Sequence, residues 1–575
     1  MSERSLVESF ADLYERDPFR ELFVFVGEDG NDAEKVNTRE LAGRAEQVRE
    51  LLERERIGPG DRVVLVHLPS LDFIAAFLGS LAVGAIPVPV SPPNPFRLEH
   101  DLRLLSAIVD NSGARAMLTH RPYLEMVKVG NDARWPAVPW LCPDETVGES
   151  ACAPELWHVP AELDDPAFLQ YTSGTTGAPK GVVVTHRNLH HELEALRLDL
   201  GLNPDSVGVC WVPHFHDLGL ISFILSVLLG NVHTYLISPL SFLKRPAIWF
   251  DVVSRTRGTH VSAPNFAYDL MVRKTTPEQR AGWDLSSLRV LGSGGEIARP
   301  DTMERFFAEY QGTGVREDAF RPGYGLAEHT LIVSMGTSGR LALDRAELER
   351  GRVVPVDGEP DSRAAVFYGS GWVTKPSAEV RIVDPDTLMP CARDRVGEIW
   401  IDSLTKARGY WGLESQSEAT FEARTADGGP GRYLRTGDIG FLRHGELFVT
   451  GRLKDLIILY GHNYAPEDIE SSVRASHRSV RKGGVAAFSI PPADDGSTVE
   501  RLIVFAECAV ADPADELVQE IGRAVRRQVH ADHGLVCDDV VVATDLVLKT
   551  SSGKLRRGAC RERYLREKVA GVSNV

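Results

Sequence analysis

Residues 171–186 read YTSGTTGAPKGVVVTH. The stretch sets Thr172, Ser173, Thr175 and Thr176 among Gly174, Gly177 and Gly181, places a cation at Lys180, and runs into Val182, Val183 and Val184. Glycines let backbone N–H groups approach a ligand and adopt positive φ. Several such amides aimed one way form a nest for an anion. Hydroxyls add donors and the lysine adds a point charge. The combination suits a polyphosphate held ahead of a strand. A flexible Gly/Ser/Thr loop is the plainer reading, and the lysine and Val run sharpen the pattern beyond it. The Gly-Lys-Ser/Thr ending of a Walker A loop is missing, so the phosphate is gripped differently from P-loop enzymes.

The chain around this loop has 575 residues, enough for several lobes or domains. Hydrophobic residues make up 43% and charged residues 25%, as in ordinary globular proteins. A net charge of −17 disfavours nonspecific binding to nucleic acid or an anionic membrane. The seven cysteines are scattered, odd in number and without CxxC spacing, so they read as reduced thiols of a cytoplasmic protein. The first residues, MSERSLVESFADLYERDPF, lack an apolar signal core. The longest apolar run, 218–229, is about half the span a bilayer needs and reads as a buried helix.

From residue 38 the pattern alternates helix and strand: helix 38–53, strand 62–66, helix 72–83, strand 86–90. This βαβ rhythm implies a mostly parallel sheet, and it continues through 181–184, 234–237 and 289–291. Residues 336–372 are polar and charged and break the rhythm; unaided, they read as a long surface loop. Short strands at 379–383, 397–401 and 446–449 then suggest a small antiparallel or barrel-like lobe. Beyond Arg452, a helix (465–476), two strands (484–490, 501–508) and a helix (514–532) make a compact α+β unit ending near Leu565. The fold class is α/β: two α/β lobes with a small barrel-like lobe over residues 1–452, then a small mobile α+β domain over 453–575, the boundary falling at 452–454.

Three more segments carry chemistry. In Gly323-Tyr-Gly-Leu-Ala-Glu328 the glycines permit a tight turn, the tyrosine offers a flat face for a base, and the glutamate suits a hard cation. Arg435-Thr-Gly-Asp438 reads as a carboxylate on a tight turn, able to accept two ribose hydroxyls. Residues 549–556, KTSSGKLR, form a second hydroxyl-rich loop with a second lysine. Each is weak alone, since a lone YG..E is more often a packing turn.

Taken in order with PSLDFIAAFLGSLAVGAIPVPVSPP (69–93), LQYTSGTTGAPKGVVVTHRNL (169–189), PHFHDLGLI (213–221), SPLSFLKRPAIW (238–249), APNFAYDLMVRK (263–274), YGLAEHTLIVSMG (324–336), TGDIGFLRHGELFVTGRLKDLII (436–458) and KTSSGKLRR (549–557), they resemble the adenylate-forming superfamily. That superfamily comprises acyl- and aryl-CoA synthetases, nonribosomal-peptide adenylation domains and beetle luciferases. The chain looks most like its fatty acyl-AMP ligase branch, over nearly its whole length.

The resemblance implies ATP-dependent activation of a fatty or related carboxylic acid to acyl-AMP with release of pyrophosphate. By resemblance, Thr172, Ser173, Gly174, Thr175, Thr176, Gly177 and Lys180 grip the β- and γ-phosphates, and Glu328 holds Mg²⁺. Lys554 bridges the carboxylate and the α-phosphate. Tyr324, with Gly325 beside it, stacks on adenine in a pocket lined by Gly294, Gly295 and Glu296. Asp438 binds the ribose, supported by Arg452. His216 matches the family's aromatic gate before the acyl tunnel, although in HFHD either His214 or His216 reads equally as a strand histidine. Lys454 occupies the hinge about which the small domain rotates between half-reactions. Residues 336–372 fall where acyl-AMP ligases carry an insertion that packs on the small domain and disfavours CoA, making the phosphopantetheine thiol of an acyl carrier protein the acceptor.

The chain departs from the branch at His329, where a small residue is usual, and at His462, where arginine is common. Ala327 lacks a hydroxyl found elsewhere in the superfamily but is typical of the branch. A histidine at 329 could narrow or polarise the acyl-pocket mouth, which bears on the substrate more than on the reaction type. His186, His190 and His191 read as a solvated helix start. An acyl-CoA synthetase, a ligase with a non-thiol acceptor, and a noncatalytic nucleotide- or acyl-binding module are the alternatives. Intact Lys180, Glu328, Asp438 and Lys554 argue against the last.

Overall fold

The computed structural model describes residues 3–569 except 95–97, 131–134, 144–153, 155–156, 161, 173–178, 231, 359, 361–363, 374–377, 460–461, 491–499 and 550–554. The strand Arg62–Val66 shows how the large α/β part is built. Val63 and Leu65 point into one buried cluster, Val64 and Val66 into another. A strand covered on both faces has no place for polar alternation, which is why RVVLV is an unbroken apolar run. It is central in a sheet with Ile86–Val90, Ala116–Leu118 and Trp140–Leu141, and all its described pairings are parallel.

A second, eight-stranded sheet is parallel through its centre, with Asp32–Asn37 and Ile332–Met335 as antiparallel edges. One apolar cluster joins the two sheets. It takes Leu22 and Phe23 from the larger, Val63 and Leu65 from the smaller, and the helices Thr38–Arg54, Leu71–Ala82 and His186–Asp199. The far face of the larger sheet is covered by Ala247–Thr256, Asn265–Lys274 and Pro300–Glu309.

The parallel reading of 181–184 is corrected. Lys180–Thr185 pairs antiparallel with Pro166–Thr172 in its own two-stranded sheet. Seven residues separate the strands, and a parallel crossover needs a dozen or more. The run 218–229 is buried and helical, but Leu218–Leu225 is wound as a π-helix, with Ser226 N–H donating to Ile221 O, and Val227–Leu229 is a 3₁₀ turn.

Residues 336–372 are not a simple loop. Arg340–Asp344 and Ala364–Tyr368 pair antiparallel around the short helix Arg345–Glu349. Their apolar faces, Leu343, Ala365 and Phe367, pack on Phe441 and Phe448. Those phenylalanines belong to the antiparallel sheet Glu379–Val383, Gly397–Asp402, Leu434–Arg443 and Glu446–Arg452.

The last part of the chain has cores of its own, drawn from residue 457 onward. Helices Pro466–Ser476 and Asp515–His533 flank Val480–Ile490, Arg501–Cys508 and Asp539–Ala543. The strand Asp539–Ala543, whose DVVVA run is a β-branched strand signal, and the closing helix Arg557–Val569 add to the elements expected from the sequence. Among the described residues no helix is long and apolar enough to cross a membrane, and six cysteines are free thiols.

Candidate active site

Asp438 sits opposite Arg452 in the ladder between Leu434–Arg443 and Glu446–Arg452. Its Oδ1 lies 3.0 Å from Arg452 Nε, and its Oδ2 accepts from Tyr324 Oη at 2.8 Å. Burial, with the Asp438 charge beside it, raises the Tyr324 hydroxyl pKa well above its usual range. The RTGD segment is not a free turn. It lies within the strand and bends at Gly437, where φ is 68°. Arg435 secures the bend: its Nη2 lies 2.7 Å from Glu398 Oε2, while Glu398 Oε1 accepts the Gly437 N–H at 3.1 Å. Glu398 is almost fully buried, so this charge-assisted pair rigidifies the segment that presents Asp438.

Tyr324 lies in the strand Phe320–Gly325, and Glu328 on the 3₁₀ turn Ala327–His329. Gly325 is required by contact: a Cβ there would meet Leu331 O at 1.9 Å. Glu328 Oε1 accepts from Tyr410 Oη at 2.9 Å. Burial raises the Glu328 pKa, while hydrogen bonds from Tyr410 and the backbone and the charge of Arg452 oppose the rise. Glu328 therefore lies within electrostatic reach of Asp438 and Arg452. The face of the Tyr410 ring carries Lys180, whose Nζ lies 4.8 Å from the centroid.

Thr172 and Lys180 are directly paired across the hairpin, so they hold the ends of the glycine-rich loop together. Ser173, Gly174, Thr175, Thr176 and Gly177 lie outside the described residues, as does Lys554. Next to Lys554, Lys549 and Leu555 form a β-bridge. Lys549 stands within electrostatic reach of Glu296 and Arg273, which brings the base of the second lysine loop to the large domain. Glu296 follows Gly294 and Gly295 at the end of Val290–Ser293, with Gly295 at φ 78°. Lys454 is exposed on the 3₁₀ turn Leu453–Asp455 that leads into the small domain.

The two histidines of HFHD separate. His214 is buried 4.2 Å from the Phe73 ring, and burial pushes its pKa down to about 3. His216 is more accessible, its Nδ1 2.6 Å from Asp217 Oδ1. Phe215 O, between them, accepts from Gln170 Nε2 at 3.0 Å, tying this loop to the strand that enters the phosphate loop. Just beyond, a cavity of about 30 Å³ lies between the π-helix and the larger sheet, lined by Leu218, Ser222, Phe223, Val261, Gly292 and Met335 among others.

His329 is fully buried, with Nε2 2.6 Å from Ser403 Oγ and Nδ1 3.1 Å from Ile332 O. His186 is not solvated: it begins the helix His186–Asp199 but is buried, and burial lowers its pKa to about 4. Among the described residues no His/Cys/Asp/Glu group forms a multi-residue metal cage.

The family profile of AMP-binding enzymes matches residues 11–411. The chain belongs to the AMP-binding enzyme family. This AMP-binding enzyme is 37% identical over 555 residues to the medium-chain-fatty-acid–[acyl-carrier-protein] ligase JamA of Moorena producens (strain JHB), covering 95% of this chain and 92% of that protein. It superposes on the fatty acyl-adenylate ligase of L. pneumophila in complex with acyl adenylate and pyrophosphate with a TM-score of 0.74 at 34% identity, covering 98% and 96% of the two chains. A structure from work on fatty acyl-adenylate ligases of E. coli and L. pneumophila matches with a TM-score of 0.86 at 28% identity, covering 99% and 98%. The AMP-binding enzyme thus falls in the fatty acyl-AMP ligase branch that its motifs resemble. Sequence reading missed Tyr410, the Arg435–Glu398 pair and the contact between Arg345 and Asp468. The signal for Tyr410 was ARGYW (407–411), an aromatic pair behind a glycine.

Proposed function

We propose that this enzyme activates a fatty or related carboxylic acid with ATP, releasing pyrophosphate, and passes the acyl group from acyl-AMP to the phosphopantetheine thiol of an acyl carrier protein. The observation that carries the reading is a run of contacts: Lys180 on the Tyr410 ring, Tyr410 on Glu328, and, within electrostatic reach of Glu328, Asp438 joined to Tyr324 and Arg452. It offers a cation and a carboxylate for a metal-bound polyphosphate beside an acceptor for ribose hydroxyls. Likeness to ligases named for fatty acids and for acyl adenylate supports it.

The substrate carboxylate attacks the α-phosphorus. A C–O–P linkage forms, the bond from the α-phosphorus to its bridging oxygen breaks, and pyrophosphate leaves. Two anions must meet, so the residues assigned here are mostly cations and donors. Thr172, Ser173, Gly174, Thr175, Thr176, Gly177 and Lys180 hold the leaving phosphates. Lys554 bridges the attacking carboxylate and the α-phosphate, aimed where charge rearranges. Gly294, Gly295 and Glu296 line the adenine pocket beside Tyr324 and Gly325. Asp438 binds the ribose and Arg452 supports it. His216 gates the acyl tunnel.

Glu328 fits a Mg²⁺ ion. It is a hard oxygen donor, a carboxylate of raised pKa in a largely buried setting, steadied by the Tyr410 hydroxyl. The ion supplies charge neutralisation on the phosphates.

Residues 1–452 act as the adenylation domain and 453–575 as the mobile domain, hinged at Lys454. In the second step the thiol attacks the acyl carbonyl and AMP leaves. The segment 336–372 packs against the small domain and favours a carrier protein over CoA. We place the reaction in the cytoplasm. The test is pyrophosphate release across a panel of carboxylic acids, followed by mass spectrometry of products with holo-carrier protein and with CoA side by side. Acyl-carrier product with little acyl-CoA is expected. Robust acyl-CoA synthesis would make the enzyme an acyl-CoA synthetase instead, and no pyrophosphate from any acid would overturn adenylation.

A further inference from the structure

Tyr410 touches both Lys180 and Glu328: the ammonium lies over its ring face, the carboxylate accepts from its hydroxyl, and among the described residues the two opposite charges do not form an ion pair. We propose that Tyr410 is a positioning residue that keeps the Lys180 ammonium and the Glu328 carboxylate apart, so that both remain available to a polyphosphate and its divalent cation. This rests on the acyl-AMP ligase reading of the site.

The ring does two jobs at once. Its face holds Lys180 through the π quadrupole, with Nζ 4.8 Å from the centroid. Its hydroxyl donates to Glu328 Oε1 at 2.9 Å. A direct Lys–Glu pair would compete with both contacts, since Coulomb attraction grows as the local dielectric falls. Such a pair would neutralise the two groups the phosphates and cation need. An aromatic face gives the ammonium a partner weak enough to be exchanged for phosphate oxygens, and a neutral hydroxyl leaves the carboxylate its charge for a metal.

Tyr410 is mounted to hold this spacing. The segment 407–411 hydrogen-bonds to both loops it separates: Ala407 N–H donates to Glu328 O at 3.0 Å, Val183 N–H to Gly409 O at 2.9 Å, and Trp411 N–H to Gly181 O at 2.8 Å. Gly409 is at φ 146°, and a Cβ there would meet Ser417 Oγ at 2.9 Å. Ser417 Oγ accepts the Tyr410 N–H at 2.9 Å, and the Phe421 ring packs edge-on at 5.1 Å. The tyrosine cannot shift without moving one of the two loops.

The experiment is calorimetric binding of ATP to the full-length enzyme, first in EDTA and then across a Mg²⁺ titration, for wild type, Y410F, Y410L and Y410L/E328Q. Y410F keeps the ring and loses the hydroxyl. It is expected to bind metal-free ATP as wild type does, while the Mg²⁺ concentration for half-maximal enhancement rises about five-fold, the scale of one hydrogen bond to a charged group. Y410L removes the spacer, so Glu328 captures Lys180 and metal-free ATP affinity falls about five-fold or more. Adding E328Q to Y410L removes the captor and restores metal-free binding to near wild type. A side chain that merely filled space would not give that rescue. If Y410L does not fold by circular dichroism, the Y410F titration decides alone. The proposal is overturned if Y410F titrates like wild type, or if folded Y410L binds metal-free ATP normally or is not rescued by E328Q. A wild type that binds no ATP under any condition would instead overturn the acyl-AMP ligase reading.

Discussion

Arg345, at the start of the short helix within 336–372, places its Nη1 3.6 Å from Asp468 Oδ2 on the first helix of the small domain. Burial raises the Asp468 pKa, and the Arg345 charge is the largest influence opposing it, followed by Arg299 and Arg474. The 336–372 segment thus touches the small domain through an ion pair with a partly desolvated carboxylate.

This contact makes R345A a cleaner probe of the brace than removing the segment. Deleting 340–367 would strip Leu343, Ala365 and Phe367 from Phe441 and Phe448 and open an apolar core. R345A is expected to raise the ratio of acyl-CoA to acyl-AMP two- to five-fold, since a partly exposed ion pair contributes about 1 kcal/mol or less. Mass spectrometry with CoA present reads the ratio. An unchanged ratio would move the brace to the apolar contacts.

D438N should lower both stability and nucleotide affinity. Asn keeps the shape but cannot pair with Arg452 as a charge, and it weakens the bond from Tyr324. Hydrogen bonds to charged groups contribute about 1.5–3 kcal/mol each. We expect the ATP KM to rise at least ten-fold with a lower urea midpoint. A normal KM with a lowered midpoint would make Asp438 purely structural.

K554A should cost about 10²–10³ in adenylation rate while ATP still binds, the usual loss on removing one preorganised electrostatic group. ATP–pyrophosphate exchange measures it. Near-normal exchange would remove Lys554 from the chemistry.

K454P should impair thioester formation more than adenylation. Proline fixes φ near −65° in the turn Leu453–Asp455, at the entry to the small domain. Assaying the half-reactions separately decides. Equal losses would indicate misfolding, and no loss in either would place the hinge elsewhere.

Stability should fall with pH through the histidine range. His67, His120 and His214 are buried together, His67 stacked on His120 at 5.3 Å. Burial pushes His120 down to about 4 and His214 to about 3, and His67 well below its ordinary value. The unfolded chain protonates these rings near pH 6.5 while the folded one does not. Their stabilisation is therefore complete above about pH 6.5 and is lost as pH falls toward the folded values. The urea midpoint should drop between pH 7.5 and 5, and less steeply in H120F. Equal slopes would assign the effect to other groups.

Local side-chain pattern specifies many of the elements. Runs such as RVVLV and TRELAGRAEQVRELLE carry their period in the side chains, so strand Arg62–Val66 and helix Thr38–Arg54 are legible without any contact. Lys180, Glu328, Asp438 and Lys554 stand out as candidates because the motifs around them are local and rich in glycine and hydroxyls.

Tertiary structure alone decided what those elements met. The direction in which Lys180–Thr185 pairs, the inward turn of His329 and the burial of His186 depend on partners distant in sequence. So does Tyr410, which is 82 residues from the carboxylate it bonds and 230 positions along the chain from the lysine it faces. Periodicity records which face of an element is apolar. Which charge finds which partner is settled only when loops from separate strands close on the same cleft and burial makes the choice matter.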